Sequence, residues 1–316
     1  MRGGVRAARL QRQRKVPMNL DIAVLAALDG ISYAALVFLV SVGLSLIFGV
    51  MRIVNVAHGS LYAYGAYAAA TIGLAVAPIS PWLTYPGLLL AAIGIGTVLG
   101  GLLERFLLRL VYGRDEALQL LITFAVFMIL DNLQRVIWGV QPIFAAAPLQ
   151  LLPNISVLGV GYTSYQTLLL PGVAALTLLG LRYFLRHTLG GAVILAVTED
   201  REAATAIGID PNRVFLRTFV LGAILAALGG ALASPTTSLL PGIGTEMIVL
   251  SFAVAATAGL GQIEGAAVTA LMIGLARAFA IYTYPEFEVL VPYAIMVLVL
   301  LIRPQGLFGA TRLRRI

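Results

Sequence analysis

Long apolar runs separated by short polar segments follow one another along almost the whole chain. A helix needs about 20 mostly apolar residues to cross the hydrocarbon core of a bilayer. The pattern predicts crossings at 31–50, 59–77, 83–103, 117–139, 167–184, 215–233, 247–260, 265–280 and 289–302. The segment 247–260 has only 14 residues, so it is tilted, extended through its flanks or re-entrant. We therefore expect an all-α polytopic membrane protein with eight or nine transmembrane helices.

Composition supports the membrane assignment and removes several classes of chemistry. Of 316 residues, 60% are hydrophobic and 11% are charged. The absence of cysteine excludes disulfides, thiolate metal sites and a cysteine nucleophile, and two histidines argue against a histidine-rich metal centre. No phosphate-binding GxxxxGK[ST] pattern occurs, so the chain does not hydrolyse ATP by that chemistry. No catalytic residue, metal or other cofactor is predicted.

The positive charge is concentrated in a few short segments. Basic regions follow residue 103, follow residue 184 and form the C-terminal tail, whereas the opposite loops lack Lys and Arg. Because cytoplasmic loops carry an excess of Lys and Arg, these three regions are expected in the cytoplasm. The net charge of +7 therefore reflects membrane topology, and no nucleic-acid partner is predicted.

The first 17 residues do not fit this topology. Nine crossings counted back from a cytoplasmic tail place the N-terminus outside, yet residues 1–15 are strongly basic. A chain that started at Met18 would lose this stretch. We therefore treat residues 1–17 as a basic arm or an upstream start-site extension, and residues 18–316 as a single transmembrane domain.

Two polar breaks in the apolar pattern, at residues 52–59 and 259–265, are candidate linings of a path through the membrane. Polar groups at membrane depth are costly unless protein buries them or they line a watery path. A broken helix there would expose backbone ends that bind charged groups of a solute. Alternatively, Arg52 and His58 lie in a short cytoplasmic turn, where His58 caps carbonyl groups. The candidate path residues are Asn55, His58, Gly59, Gly261 and Gln262.

The segment between residues 184 and 215 carries residues typical of helix boundaries. Thr198 can cap a helix whose acidic first turn complements the positive helix N-terminus. Gly208 fits a left-handed stop, and Asp210 then caps a second helix that starts with proline. We predict a surface helix at residues 199–207 that can dock into a groove on a partner. The alternative is a plain connection that contacts no partner.

Several ionisable residues lie within or beside the predicted spans. Asp131 and Arg135 are four residues apart, so we expect an ion pair on one helix face. Arg277 faces a partner subunit, faces a polar path or extends to the outer interface, and the sequence leaves these alternatives open. The remaining acids are assigned to outer loops, where they are solvated or contact a protein partner on that side: Glu246, Glu286 and Glu288.

The pattern Glu202-Ala203-Ala204-x3-Gly208 resembles the EAA-x3-G coupling motif of bacterial ABC-importer permeases, without the Ile-x-Leu-Pro ending that many of them have. Further motifs follow one another along the chain, at 43–49 with Arg52, Asn55, Ala57, His58 and Gly59, then at 196–204, 208–209, 213–214, 259–266 and 303–309. In this order, they make the chain beyond Asp29 resemble the LivH-type permease of branched-chain amino acid ABC importers. One departure is Glu264, which adds a charge to a glycine-rich segment.

The resemblance implies a permease subunit of an ATP-driven importer, multi-pass in the bacterial inner membrane, that forms the path for branched-chain or other hydrophobic amino acids. The implied partners are a second related permease subunit, two cytoplasmic ATP-binding subunits and a periplasmic substrate-binding protein. The residues implied to couple the chain to the ATPases are Glu199, Asp200, Arg201, Glu202, Ala203, Ala204 and Gly208.

Other functions are weighed against this one. Related permeases for urea and short amides share most of the pattern. A self-contained secondary transporter or channel is compatible with broken helices, but it would not require a coupling motif. An integral-membrane enzyme needs paired acids, a Ser/His arrangement or a metal cluster at membrane depth, and no carboxylate pair lies at helical spacing in a predicted span.

Overall fold

A computed structural model describes residues 20–309, so the basic arm at residues 1–17 lies outside the described residues. The described chain is almost entirely helical, which confirms an all-α polytopic membrane protein. Shorter helical segments lie at Pro81–Leu83, Glu104–Leu108, Arg109–Val111, Ala147–Leu151, Tyr165–Leu169 and Pro285–Phe287. The helices are α1 Leu20–Met51, α2 His58–Val76, α3 Thr84–Leu103, α4 Glu116–Trp138, α5 Leu170–His187, α6 Leu189–Glu199, α7 Arg201–Ala206, α8 Pro211–Ala233, α9 Ile243–Ala258, α10 Ile263–Thr283 and α11 Leu290–Ile302.

Every predicted span corresponds to a helix in the described part of the chain. The predicted segment 247–260 is a 16-residue helix that begins earlier, at Ile243, and ends at Ala258. With α11, it belongs to the shorter apolar helices. Among the described residues, six helices are long and apolar enough to cross a membrane: Leu20–Met51, Pro81–Val111, Glu116–Trp138, Tyr165–His187, Pro211–Ala233 and Ile263–Thr283.

Helix α1 lies at the centre of the fold, and 89% of the residues in an apolar stretch of 18 residues are buried. It packs against α8, α9 and α10. The crossing with α8 is close, because a Cβ added at Gly43 would lie 2.5 Å from the carbonyl oxygen of Gly222. The crossing of α2 with α8 is similarly close at Gly65, where a Cβ would lie 2.3 Å from the Ala227 oxygen. Small residues thus allow tight helix packing without a hydrophobic driving force from water.

The helices at the periphery expose apolar surface. In an apolar stretch of 18 residues, only 22% of the residues of α4 are buried, and only 11% are buried in the helix Tyr165–His187. Helix α11 buries a single residue, Pro292. Because lipid tails are apolar, such faces are stable against lipid or against another membrane subunit.

The end of the molecule opposite the arginine-rich loops carries a small extramembrane element. Strands β1 Asn154–Val157 and β2 Val160–Thr163 form an antiparallel hairpin. Ile143 and Leu239 exchange backbone hydrogen bonds of 3.1 and 2.8 Å, which join this region to the segment after α8. The hydrophobic pattern did not predict the hairpin, because its strands are only four residues long.

Candidate functional site

The predicted surface helix lies at the arginine-rich end, but it starts later than expected. The Thr198 hydroxyl donates to the carbonyl of Ile194 inside α6, so Thr198 is not a cap. Asp200 is the cap instead, and its carboxylate accepts hydrogen bonds from the backbone N–H groups of Glu202 and Ala203, both at 2.9 Å. The prediction of a Thr198-capped helix is therefore wrong, because Asp200 is extended (φ −147°, ψ 104°) and separates α6 from α7.

The end of α7 follows the prediction. Gly208 adopts φ +90°, and its N–H donates to the Thr205 carbonyl at 3.0 Å. The N–H of Ile209 donates to the Ala204 carbonyl at 3.0 Å, which completes a Schellman closure. Asp210 then accepts a hydrogen bond from the N–H of Asn212 and caps α8. Both ends of the six-residue helix are thus held by local hydrogen bonds.

Helix α7 is fixed to the body of the molecule but exposes most of its surface. Ala204 is buried, and the guanidinium of Arg201 lies 5.3 Å from the ring centroid of Phe215 at the start of α8. Ile207, just beyond the helix, is 77% exposed. The segment 199–208, which we call the coupling segment, is therefore a small rigid projection with an apolar tip.

The first polar break is a buried extended segment between α1 and α2. Arg52, at φ +55°, ends α1, and residues 53–57 then run without regular structure to His58. The side chain of Thr123 on α4 holds this segment, since its oxygen accepts a hydrogen bond from the Val56 N–H at 3.3 Å. The Thr123 hydroxyl lies within donating distance of two carbonyls, that of Val54 at 3.3 Å and that of Leu120 at 3.1 Å. Non-helical backbone at this depth is tolerated because protein surrounds it.

His58 lies inside the bundle. Its Nε2 is 3.0 Å from the carbonyl oxygen of Val40, and the side chain is fully buried. Val40 precedes Arg52 by twelve residues, which corresponds to about 18 Å along the helix. Helix α2 therefore begins well inside the helix bundle, and the interpretation that places His58 in a cytoplasmic turn is wrong.

The start of α2 meets the start of α9. A Cβ added at Gly59 would lie 2.4 Å from the carbonyl oxygen of Gly244, so the two backbones touch. Nearby, the Nδ2 of Asn55 and the Nδ1 of His58 are buried and have no hydrogen-bond partner among the described residues. Two helix starts and unpaired polar atoms thus occur together within the bundle.

The second polar break, residues 259–262, lies at the arginine-rich end and is closed by the C-terminal tail. The N–H groups of Leu307 and Phe308 donate to the last carbonyls of α9, at 2.8 and 2.9 Å. The break also touches α1, since a Cβ added at Gly49 would lie 3.2 Å from the Cα of Gly261. The motif at residues 303–309 therefore caps a helix end that would otherwise expose carbonyl groups.

A cavity of about 520 Å³ opens at the same end and brings part of the predicted site together. Gly261 and Gln262 line it with Arg52, and the coupling segment contributes Glu199. Asn55, His58 and Gly59 do not line it. Of the five candidate path residues, the structure thus brings two beside the coupling segment and leaves three in the interior.

At the opposite end, the structure locates the remaining charged residues. The predicted Asp131–Arg135 ion pair is present at 2.8 Å. Arg277 pairs with Glu288 and lies 4.1 Å from the ring centroid of Tyr33. The assignment of Glu246 to a loop is wrong, because α9 starts earlier than predicted and Glu246 occupies its first turn.

Asp29 belongs to the same end of the molecule and was not predicted as a site residue. It accepts hydrogen bonds from the hydroxyls of Tyr162 and Tyr282. An available signal was its position inside a long apolar helix, since an ionisable residue within a span usually has a functional reason.

Comparisons with known proteins are consistent with a transport role. Residues 26–300 match a family model described as "Branched-chain amino acid transport system / permease component". The chain is 28% identical to the high-affinity branched-chain amino acid transport system permease protein LivH of Escherichia coli K12, over 91% of this chain and 96% of the relative. It is also 28% identical, with the same coverage, to the high-affinity branched-chain amino acid transport system permease protein BraD of Pseudomonas aeruginosa. A solved structure, PsaBC from Streptococcus pneumoniae in complex with Fab, aligns at 15% identity with a TM-score of 0.48, covering 88% of this chain and 91% of that one.

Proposed function

The chain belongs to the family of branched-chain amino acid transport permeases, and on this basis we propose that it is the permease subunit of an ATP-driven importer in the bacterial inner membrane. Its substrates are branched-chain or other hydrophobic amino acids. A periplasmic binding protein delivers the substrate, a second related permease subunit completes the path, and two cytoplasmic ATP-binding subunits supply the energy.

The observation that carries the proposal is the rigid coupling segment. A short exposed helix, closed at both ends and seated on α8, suits insertion into a groove on a partner. Its surroundings are rich in arginine, so the positive-inside rule assigns it to the cytoplasm, where ATPase subunits would meet it. Within it, Asp200 and Gly208 maintain the geometry, whereas Glu202, Ala203 and Ile207 present exposed surface.

A physical route connects this segment to the proposed path. Glu199, the last residue of α6, lines the 520 Å³ cavity together with Gly261 and Gln262, so a displacement of the coupling segment would change the shape of that cavity. We assign Gly261 and Gln262 to the inner exit. Asn55, His58 and Gly59 are assigned to a deeper part of the path, where their buried polar atoms and the adjoining helix starts are available to a solute after a rearrangement.

Cross-linking tests the proposal, and the natural absence of cysteine makes it specific. A single-cysteine variant Thr205→Cys places a thiol on the exposed face of α7, and Leu158→Cys places one in the hairpin turn at the opposite end. With a short thiol cross-linker in native membranes, Thr205→Cys is expected to capture an ATP-binding subunit and Leu158→Cys is not. Equal capture by both, or capture by neither, would contradict the assignment and favour a self-contained transporter.

A transport measurement tests the coupling residues. Single substitutions Arg201→Ala, Glu202→Ala and Gly208→Val are expected to lower uptake of radiolabelled leucine while the assembly still co-purifies, because each alters the surface or shape of the coupling segment. Gly208→Val acts on shape, since φ +90° disfavours any side chain with a Cβ. Unchanged uptake in all three variants would show that coupling lies elsewhere.

A further inference from the structure

A cavity without an assigned role lies between α1 and α10, near the end of the molecule opposite the arginine-rich loops. Its volume is about 210 Å³, below the ~300–1,000 Å³ typical of pockets for drug-sized ligands. This size suits one small metabolite. Its lining includes Asp29, Tyr33, Leu36, Leu170, Arg277 and Ile281.

The two charged residues of this cavity are held on facing helices. A Cβ added at Gly30 would lie 2.9 Å from the Cα of Leu275 and 3.2 Å from the Cβ of Ala278, so α1 and α10 touch at this level. Asp29 and Arg277 adjoin these contact residues on their respective helices. The helix crossing therefore sets the spacing of a carboxylate and a guanidinium around one space.

The charges are not paired with each other. Arg277 forms its ion pair with Glu288, which does not line the cavity. Among residues 20–309, Asp29 receives side-chain hydrogen bonds from the neutral hydroxyls of Tyr162 and Tyr282, and no arginine of that range lies within ion-pair distance of it. A carboxylate in a partly buried cavity without a cationic partner favours an incoming ammonium group.

Both groups keep unused hydrogen-bonding capacity. A carboxylate offers about four acceptor sites, and two tyrosines occupy only part of them. A guanidinium has about five N–H donors in a planar fork, and Glu288 engages the Nη2 group of Arg277. The side chain of Arg277 is 25% exposed, so the cavity is not sealed on that side.

We propose that this cavity binds one free zwitterionic α-amino acid with an aliphatic side chain. Asp29 pairs with the ammonium group, Arg277 pairs with the carboxylate, and Leu36, Leu170 and Ile281 surround the side chain. The site accepts the solute from the outer side, before the path through the membrane. This inference rests on the proposed function and adds a substrate site within a single permease subunit.

A binding experiment on the complete purified assembly in nanodiscs, without binding protein, tests the site. Radiolabelled leucine is displaced by leucine, by leucinamide, which lacks the carboxylate charge, or by 4-methylpentanoate, which lacks the ammonium group. On the natural protein, each analogue is expected to compete about tenfold less well than leucine, since each loses one charge-assisted interaction.

Two substitutions separate the roles. Asp29→Asn is expected to abolish the preference for leucine over 4-methylpentanoate and to keep the preference over leucinamide. Arg277→Gln is expected to abolish the preference for leucine over leucinamide and to keep the preference over 4-methylpentanoate. Arg277→Lys retains a cation and is expected to keep most of the discrimination. Asp131→Asn is the matched control, because it breaks an ion pair at the same end of the molecule outside the cavity.

The outcomes distinguish the site from the proposed function. If neither substitution changes the analogue preference, or if both weaken every ligand equally, Asp29 and Arg277 are structural and the inference is wrong. If the natural assembly binds no leucine without binding protein yet shows ATP-dependent uptake with it, the inference fails and the proposed function stands. If ATP-dependent uptake of every branched-chain amino acid is absent, both fail.

Discussion

The two polar breaks at residues 52–57 and 259–262 have similar sequence character but different environments. The first is enclosed by helices, and a side chain of α4, Thr123, pairs with its backbone. The second lies at the arginine-rich end, where the backbone of the C-terminal tail pairs with the carbonyls at the end of α9. A side chain of a neighbouring helix thus holds the first break, whereas the C-terminal tail closes the second, next to the ion pairs of Glu264 at the start of α10.

This difference has an energetic consequence. Unpaired backbone groups cost more in a low-dielectric interior than at a surface, where water replaces a lost partner. Substitutions around residues 52–59 are therefore expected to affect stability more than substitutions around residues 259–265.

The largest effect is expected for Gly59→Ala beside the buried break. The new Cβ would lie 2.4 Å from the Gly244 oxygen and 2.7 Å from the Cβ of Ile248, so the two helix starts must separate at a cost of about 3 kcal/mol or more. Denaturant unfolding in mixed micelles measures this cost. Gly94→Ala is the control, because a Cβ there meets nothing within 4 Å, and a similar loss in both variants would contradict the packing argument.

A smaller effect is expected for Thr123→Val, which keeps the shape of the side chain but removes its hydroxyl. The Val56 N–H loses its acceptor, at a cost of about 1–3 kcal/mol for a buried group. The same unfolding measurement applies. Thr167→Val serves for comparison, since its hydroxyl bonds only the carbonyl of Thr163 one helical turn earlier, and equal losses would mean that the break does not depend on Thr123.

The smallest effect is expected for Glu264→Gln at the surface break. Glu264 pairs with Arg186 at 2.8 Å and with Arg182 at 3.7 Å, and its side chain is 49% exposed. Exposed ion pairs contribute about 0–1 kcal/mol and are weakened by salt. Unfolding at low and high salt should show a small difference that disappears at high salt. A loss as large as that of Thr123→Val would contradict the contrast between the two breaks.

The sequence predicted features that depend on neighbouring residues. The hydrophobic runs located the helices. Gly208, with its positive φ, and Asp210, as the N-cap of α8, located the boundary between α7 and α8, because each acts on backbone groups within one helical turn. The same local reasoning chose the wrong N-cap, since Thr198 and Asp200 are both good caps and packing of α6 decided between them.

The candidate site was only partly predictable for the same reason. Gly261 and Gln262 were selected for their polar break, and their position beside Glu199 in one cavity requires knowing how α1, α6 and α10 meet. Asp29 and Arg277 are separated by most of the chain, and only the crossing of α1 with α10 brings them to one cavity.

By itself, the sequence determined that this protein is a bundle of membrane helices with two interruptions and a short surface helix, because hydropathy, capping and turn residues act over a few positions. The tertiary structure alone decided the depth of each interruption and the partners of each charge. Depth and pairing depend on which helices cross and at what level, and in a uniformly apolar sequence those crossings are set by small residues that meet only after folding.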